Sequence, residues 1–257
     1  MAASVSSEGR LAVIHDEGDA RALDELSIRA AAAKALDQVV DGARVGLGSG
    51  HAVSIFIAML GERRREGLRV SGVAASEASA VRARKAGIPL VALEQELDMA
   101  VDGADEVAPN LDLVKGRGGA LVRERVVAAA SKRQIIIVSK TKLVRKLGEH
   151  AYVPVEVIPL ARWLVAREIE NLGLIPVLRM DRARRQPLVS ENRNITLDCA
   201  PFKPLADGAR ARELERALLA IAGVVDTGLF LGTADQVLVG HADGDVDVLR
   251  RTEGPLP

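Results

Sequence analysis

Between Val101 and Glu124 the chain reads VDGADEVAPNLDLVKGRGGALVRE. Asp102 and Asp105 are followed by Lys115 ahead of a glycine-rich loop, and then by Glu124 nine residues after the lysine. Together these side chains can supply an acid, a base and a stabiliser for a developing oxyanion. Each has a plainer reading when taken singly. An aspartate beside glycine caps or ends a turn, and Glu106 fits that role. A glutamate in the first turn of a helix offsets the helix dipole on the surface. What points to proton transfer is the combination within one stretch, on a loop whose glycines let a backbone approach a small ligand closely.

A second stretch, Gly46-Leu47-Gly48-Ser49-Gly50, lies where an apolar strand gives way to the helix AVSIFIAMLGERRR. Backbone N–H groups and the helix dipole there favour a phosphate or carboxylate. The alternative is a tight turn that needs glycine for its backbone angles. It is a poor dinucleotide fingerprint, because His51 stands at the third glycine position, and it lacks the Lys-Ser/Thr pair of a P-loop. Ser49 has the wrong neighbours for a nucleophile elbow. His15, His51, His150 and His241 are scattered without ligand spacing, so no metal site is expected.

These residues need a scaffold, and the hydrophobic pattern supplies one. Asp24 to Val40 predicts an amphipathic helix with Leu26, Ala30, Ala33, Leu36 and Val40 on one face. Short apolar strands then alternate with helices: ARVGLGSG, a strand running into glycines, LRVSGVAA, IPLVAL, LDMAV and RQIIIVSK are strands, while SEASAVRARKAG and VRERVVAAASK are helices. This is the grammar of a mostly parallel sheet covered on both faces. Asp102 and Asp105 then fall at the carboxyl end of a parallel strand, where open α/β sheets hold their ligands. Beyond about Glu149 the pattern changes. PVEVIP reads as a short edge strand, followed by a helix, the strand LIPVLRM, a hairpin or strand pair over RRQPLVSENRNITLDC, the helix ARARELERALLAI and the final strand LGTADQVLVG. That is a smaller α+β unit.

Composition narrows the partners. Lys plus Arg and Asp plus Glu both number 35 and aromatics are 2% of residues, so neither the charge nor the stacking surface of a nucleic-acid binder is present. A small-molecule partner is the better expectation. Cys199 is the single cysteine and reads as a packed apolar residue. Without a signal-like N-terminus or a spanning apolar run, a cytoplasmic protein with a loose tail to about Ala20 is expected, with no membrane partner.

From about Asp24 to Gly244 the chain resembles the type A ribose-5-phosphate isomerase family. The likeness rests on VGLGSG, VDGADEVAPNLDLVKGRGGALVRERVVAAASK, VPVEVIP and GVVDTGLFLGTADQVLVG, in that order. It implies interconversion of ribose 5-phosphate and ribulose 5-phosphate through an enediolate, with no metal and no cofactor. Glu124 matches the family's general base, Asp102 and Asp105 the pair that handles hydroxyl protons and ring opening, and Lys115 the stabiliser of the oxyanion. The implied sugar-phosphate contacts are Ser49, Gly50, His51, Ala52, Gly103, Ala104, Gly116, Arg117, Gly118 and Lys142. The resemblance further implies a Rossmann-like catalytic domain over 20–149, completed by a returning strand in 228–257, a smaller α+β domain over 150–227, and a homodimer or homotetramer. Departures gather around the phosphate. The family's G-T-G-S-T loop is here Gly48-Ser49-Gly50-His51-Ala52, its N-terminal lysine pair is Ile28-Arg29, and Arg117 replaces a common glycine.

Three other functions compete. One is isomerisation of a different sugar phosphate. A coenzyme A transferase would use a glutamate in an S-E-N-G motif, which Ser190-Glu191-Asn192 approaches, although Arg193 replaces the glycine. A sugar-phosphate sensor would not need Glu124, and no DNA-binding region accompanies the chain.

Overall fold

A computed structural model of the chain describes residues 8–181, 183, 185–201, 204–205 and 208–251. A six-stranded sheet with the order β13-β12-β6-β3-β1-β2 forms its centre. These strands are β1 (Ala43–Leu47), β2 (Val70–Ala74), β3 (Met99–Asp102), β6 (Gln134–Ser139), β12 (Gln236–Gly240) and β13 (Val246–Arg250). All neighbours pair in parallel except β13, which runs antiparallel to β12.

The sheet is covered on both sides, and the pleat explains the unbroken apolar runs. Ile135 and Ile137 of β6 face one cluster with Val45, Leu47 and Val101, under α1 (Glu8–Leu36) and α2 (His51–Arg65). Ile136 and Val138 point the other way, into a cluster with Leu113, Leu121 and Phe230. On that second side Val127 of α4 (Leu121–Ala129) also packs against Val73 and Ala100. The helix α3 (Glu77–Lys85) starts on a Ser76 cap, whose hydroxyl accepts from the Ser79 N–H.

A three-stranded antiparallel sheet joins β4 (Glu106–Val107), β5 (Leu113–Val114) and β11 (Leu229–Phe230). A four-stranded antiparallel sheet, ordered β10-β7-β9-β8, comprises β7 (Val153–Val157), β8 (Leu174–Leu178), β9 (Ile195–Pro201) and β10 (Val224–Thr227). One face of it packs Val155, Val157, Leu197 and the buried Cys199 against Val165 and Ile169 of α5 (Arg162–Asn171) and Leu218 of α6 (Gly208–Leu219). The mixed α/β architecture anticipated from the pattern is therefore present.

Five local expectations are corrected. Where a loose tail was expected, α1 begins at Glu8, in a run of good helix formers; residues 1–7 lie outside the described ones. The helix ends at Leu36, short of Val40, and its buried face is Ile28, Ala31, Ala32 and Ala35, while Leu26 is exposed. The small residues face in because α1 crosses β12 at close quarters: a Cβ on Gly240 would lie 1.8 Å from the Ser27 carbonyl oxygen. IPLVAL is not a strand. It touches the edge of β2 through one bridge, with Gly72 bonded to Pro89 and Val91. Finally, β7 is an inner strand rather than an edge. Pro154 fits near its start, where its carbonyl accepts from Gly228 N at 2.7 Å. The segment before β9 is reduced to bridges, Met180 to Pro187 and Val189 to Ile195, around the turn at 190–194.

Candidate active site

Asp102 is the last residue of β3, and it is buried because Gly48, beyond β1, has no side chain. A Cβ on Gly48 would lie 2.1 Å from the Asp102 carboxyl carbon. In that space Asp102 Oδ1 accepts from Gly103 N at 2.8 Å and from Ser49 N at 3.2 Å. Gly46 serves packing in the same way, since its Cβ would strike Val127 at 2.5 Å. The glycines of this stretch therefore have separate tasks: Gly46 and Gly48 admit neighbours, and Gly50 (φ 93°) turns the chain into α2.

Lys115 follows β5 and reaches back beneath the end of the sheet. Its Nζ donates to the Gly103 carbonyl at 2.6 Å and lies 2.9 Å from Asp102 Oδ2 and 3.3 Å from Glu124 Oε2. The three residues are 3%, 3% and 4% exposed for Lys115, Asp102 and Glu124. Although burial opposes its charge, the Lys115 ammonium is held above its ordinary range by Asp102 and Glu124. Burial is also the first cause for Glu124, pushing its carboxyl up to about 7, with Asp102 adding to the rise and Lys115 opposing it. Glu124 Oε2 has the proximity of an ion pair to Lys115 without the alignment of a hydrogen bond. A first-turn glutamate that was open to reading as a surface dipole partner is thus a buried group facing a lysine.

Above this triad opens a cleft of about 220 Å³. Every residue expected to contact substrate lines it: Ser49, Gly50, His51, Ala52, Gly103, Ala104, Gly116, Arg117, Gly118 and Lys142. Asp105, Lys115 and Glu124 line it as well, whereas Asp102 sits beneath, against Lys115. Asp105 is fixed by the Arg117 N–H, which donates to its Oδ2 at 3.1 Å. The α2 N-terminus presents His51 and Ala52 to the cleft, with no side chain capping its first turn.

The walls also include Asp24, Ile28, Ile137, Val138 and Ser139, which sequence reasoning did not select. Ser139 could have been found by the rule that found Asp102, because it ends the parallel strand β6. Asp24 gave no such signal; it arrives from α1, where it accepts from the Ser139 and Thr141 hydroxyls. Outside the cleft, Glu191 is occupied by an ion pair with Arg123 and by the Glu77 N–H at 2.7 Å. A nucleophilic role like that of a transferase glutamate does not fit those contacts.

Fold and site together define an α/β enzyme equipped for acid–base proton transfer on a small polar ligand. Comparison with known proteins narrows the class. Residues 71–244 match the family model of ribose 5-phosphate isomerase A (phosphoriboisomerase A). A ribose-5-phosphate isomerase A of Gloeobacter violaceus is 45% identical over 228 residues, covering 88% of this chain and 96% of that one. Among solved structures, the enzyme of Methanocaldococcus jannaschii is 38% identical with a TM-score of 0.81, covering 88% of this chain and 98% of that one. Another D-ribose-5-phosphate isomerase, in complex with phospho-erythronic acid, is 35% identical with a TM-score of 0.84, covering 89% and 99%. The chain belongs to the ribose 5-phosphate isomerase A family.

Proposed function

We infer that this protein interconverts ribose 5-phosphate and ribulose 5-phosphate, and that the buried Lys115 ammonium between Asp102 and Glu124 carries the chemistry. Glu124 takes the C2 proton of the open-chain aldose, the C1 carbonyl becomes the oxyanion of an enediolate, and the proton returns to C1. The O2 hydroxyl proton passes to O1, and Asp102 and Asp105 serve that transfer and the opening of the ring. A base near neutrality suits the task, since it accepts a proton and yields it again within one turnover.

The geometry also suggests how Lys115 becomes available. An ammonium has three donors, and here Gly103, Asp102 and Glu124 surround it. Glu124 is the poorly aligned partner. Once it holds the substrate proton it is neutral, its attraction for Lys115 falls, and the ammonium turns to the oxyanion that forms in the same step.

The phosphate is assigned to the start of α2, among Ser49, Gly50, His51 and Ala52, with Lys142 and Arg117 as the cations that line the same cleft. The phospho-erythronic acid held by the 35%-identical relative joins a carboxylate, a planar anion like an enediolate, to a phosphate. Lys115 and the α2 N-terminus are suited to those two charges. We further propose the division into a catalytic unit over 20–149 and 228–257 and a smaller unit over 150–227. A cytoplasmic homodimer or homotetramer is part of the same proposal; the exposed Leu160 and Trp163, 94% and 70% accessible, favour a partner surface. Among the described residues no helix is long and apolar enough to cross a membrane.

The test is ribulose 5-phosphate formation by the purified protein with a chelator present, from ribose 5-phosphate and, in parallel, from unphosphorylated ribose. Turnover of the phosphate ester alone is expected. Failure on both sugars would defeat the reading.

A further inference from the structure

Arg179, just beyond β8, reaches out of the four-stranded sheet to the glycine-rich loop of the cleft. Its Nη1 donates to the Gly116 carbonyl at 2.8 Å and to the Arg117 carbonyl at 3.2 Å. Its Nε donates to Asp198 Oδ2 at 2.9 Å, and its Nη2 pairs with Oδ1 of the same carboxylate. The guanidinium is thus held in a two-pronged grip by β9, with its side chain 11% exposed.

The Gly116 carbonyl shares a peptide plane with the Arg117 N–H, and that N–H donates to Asp105 Oδ2 at 3.1 Å. One rigid unit is therefore held by Arg179 at one end and holds Asp105 at the other. Its orientation depends on Gly116, whose φ of 104° suits glycine and whose Cβ would press on Leu121 at 2.8 Å. Rotation of this plane would break both bonds. A cation on the carbonyl also polarises the N–H and strengthens its grip on the carboxylate.

We propose that Arg179 is a positioning residue for the isomerisation, orienting the Gly116–Arg117 peptide so that its N–H fixes the Asp105 carboxylate at the cleft. The proposal rests on the assignment of Asp105 to the proton-handling set. It gives the smaller sheet a direct part in the geometry of the reaction.

A double-mutant cycle tests it, with ribose 5-phosphate turnover and thermal unfolding measured for the unaltered protein, Arg179→Met, Asp105→Asn and the pair. Arg179→Met should lower kcat/KM by roughly 10- to 100-fold, mostly through kcat, as expected for a misplaced catalytic group. Asp105→Asn should lose more, and the pair should fall within about threefold of Asp105→Asn alone, because Arg179 then has nothing left to orient. Arg179→Lys keeps the charge but not the fork, so it should restore only part of the loss. If Arg179→Met fails to fold, Asp198→Asn releases the guanidinium's anchor and enters the same cycle. Losses that multiply in the pair would overturn the proposal while leaving the isomerase reading intact. Wild-type turnover by Asp105→Asn would overturn the proposal together with the role given to Asp105, and no turnover by the unaltered protein would overturn both it and the isomerase reading.

Discussion

Glu124 is a carboxylate whose surroundings favour its protonated form, and the consequences can be followed by pH. Burial first, and Asp102 second, lift it to about 7. A base acts only when deprotonated, so kcat/KM should climb with pH through a midpoint near 7. In Asp102→Asn one cause of the rise is gone and Lys115 loses a carboxylate that competes with Glu124, so the acid limb should move to lower pH even as the rate falls. A limb that stayed in place, or moved up, would assign it to another group. The same shift bears on stability. Between the ordinary carboxylate range and about 7 the folded chain binds this proton more tightly than the unfolded one, so ionising Glu124 costs stability as pH rises through that window. The plainest substitution is Glu124→Gln, which keeps the shape and cannot accept a proton. Turnover should fall by roughly three orders of magnitude or more, while calorimetric binding of ribose 5-phosphate stays close to that of the unaltered protein. A variant retaining near-normal kcat would remove Glu124 from the role of base.

At the scale of elements, strand ends and turns do the positioning. Because β1 and β3 are parallel neighbours, the chain leaving β1 passes directly over Asp102, and only glycine fits at position 48. Gly48→Ala should therefore cost about 1–3 kcal/mol in chemical denaturation, as forced overpacking does, and should displace Asp102 and with it Lys115. Loss of kcat/KM with a lowered midpoint is expected. Full activity with unchanged stability would mean that the Asp102 side chain can move aside freely. The sequence carried this part of the site well, since a strand running into Asp-Gly and a strand running into Gly-Leu-Gly are local signals. It also supplied the alternating apolar faces of β6. Less legible were the two-residue strands β4, β5 and β11, which are too short to show any periodicity. The inward face of α1 was misread because large leucines drew the stripe, whereas contact with β12 selects alanine. Asp24 was invisible because only tertiary packing brings it to Ser139.

Across the whole molecule, side chains distant in sequence fasten the three sheets around the cleft. Arg125, next to Glu124, donates to Asp226 at 2.7 Å and to the carbonyls of Thr227 and Leu229, and lies over the Phe230 ring. It ties α4 to the segment whose Gly228 carbonyl receives the Lys115 N–H. Arg123 grips Glu191 from the turn before β9, and Arg179 reaches the glycine loop from beside β8. A fourth fastening is Glu106, first read as a turn residue. Its buried carboxylate accepts the N–H groups of Gly148, His150 and Ala151 at 2.6, 2.5 and 2.7 Å, on the segment that leads into β7. Since Glu106 pairs with Val114, next to Lys115, this nest anchors the entry to the four-stranded sheet beside the buried lysine of the cleft. Replacing Glu106 by Gln exchanges one acceptor oxygen for an NH₂ group facing backbone donors, and a buried unmatched donor costs about 1–3 kcal/mol. Glu106→Gln should therefore lower the unfolding free energy by roughly that amount or more, with faster hydrogen exchange at 148–151. Well below the unfolding transition its kcat should stay near that of the unaltered protein, because the carboxylate is occupied by the N–H groups of 148–151 and does not line the cleft. A large loss of kcat at unchanged stability would reverse the assignment, making Glu106 part of the chemistry rather than a fastening of the scaffold that holds it.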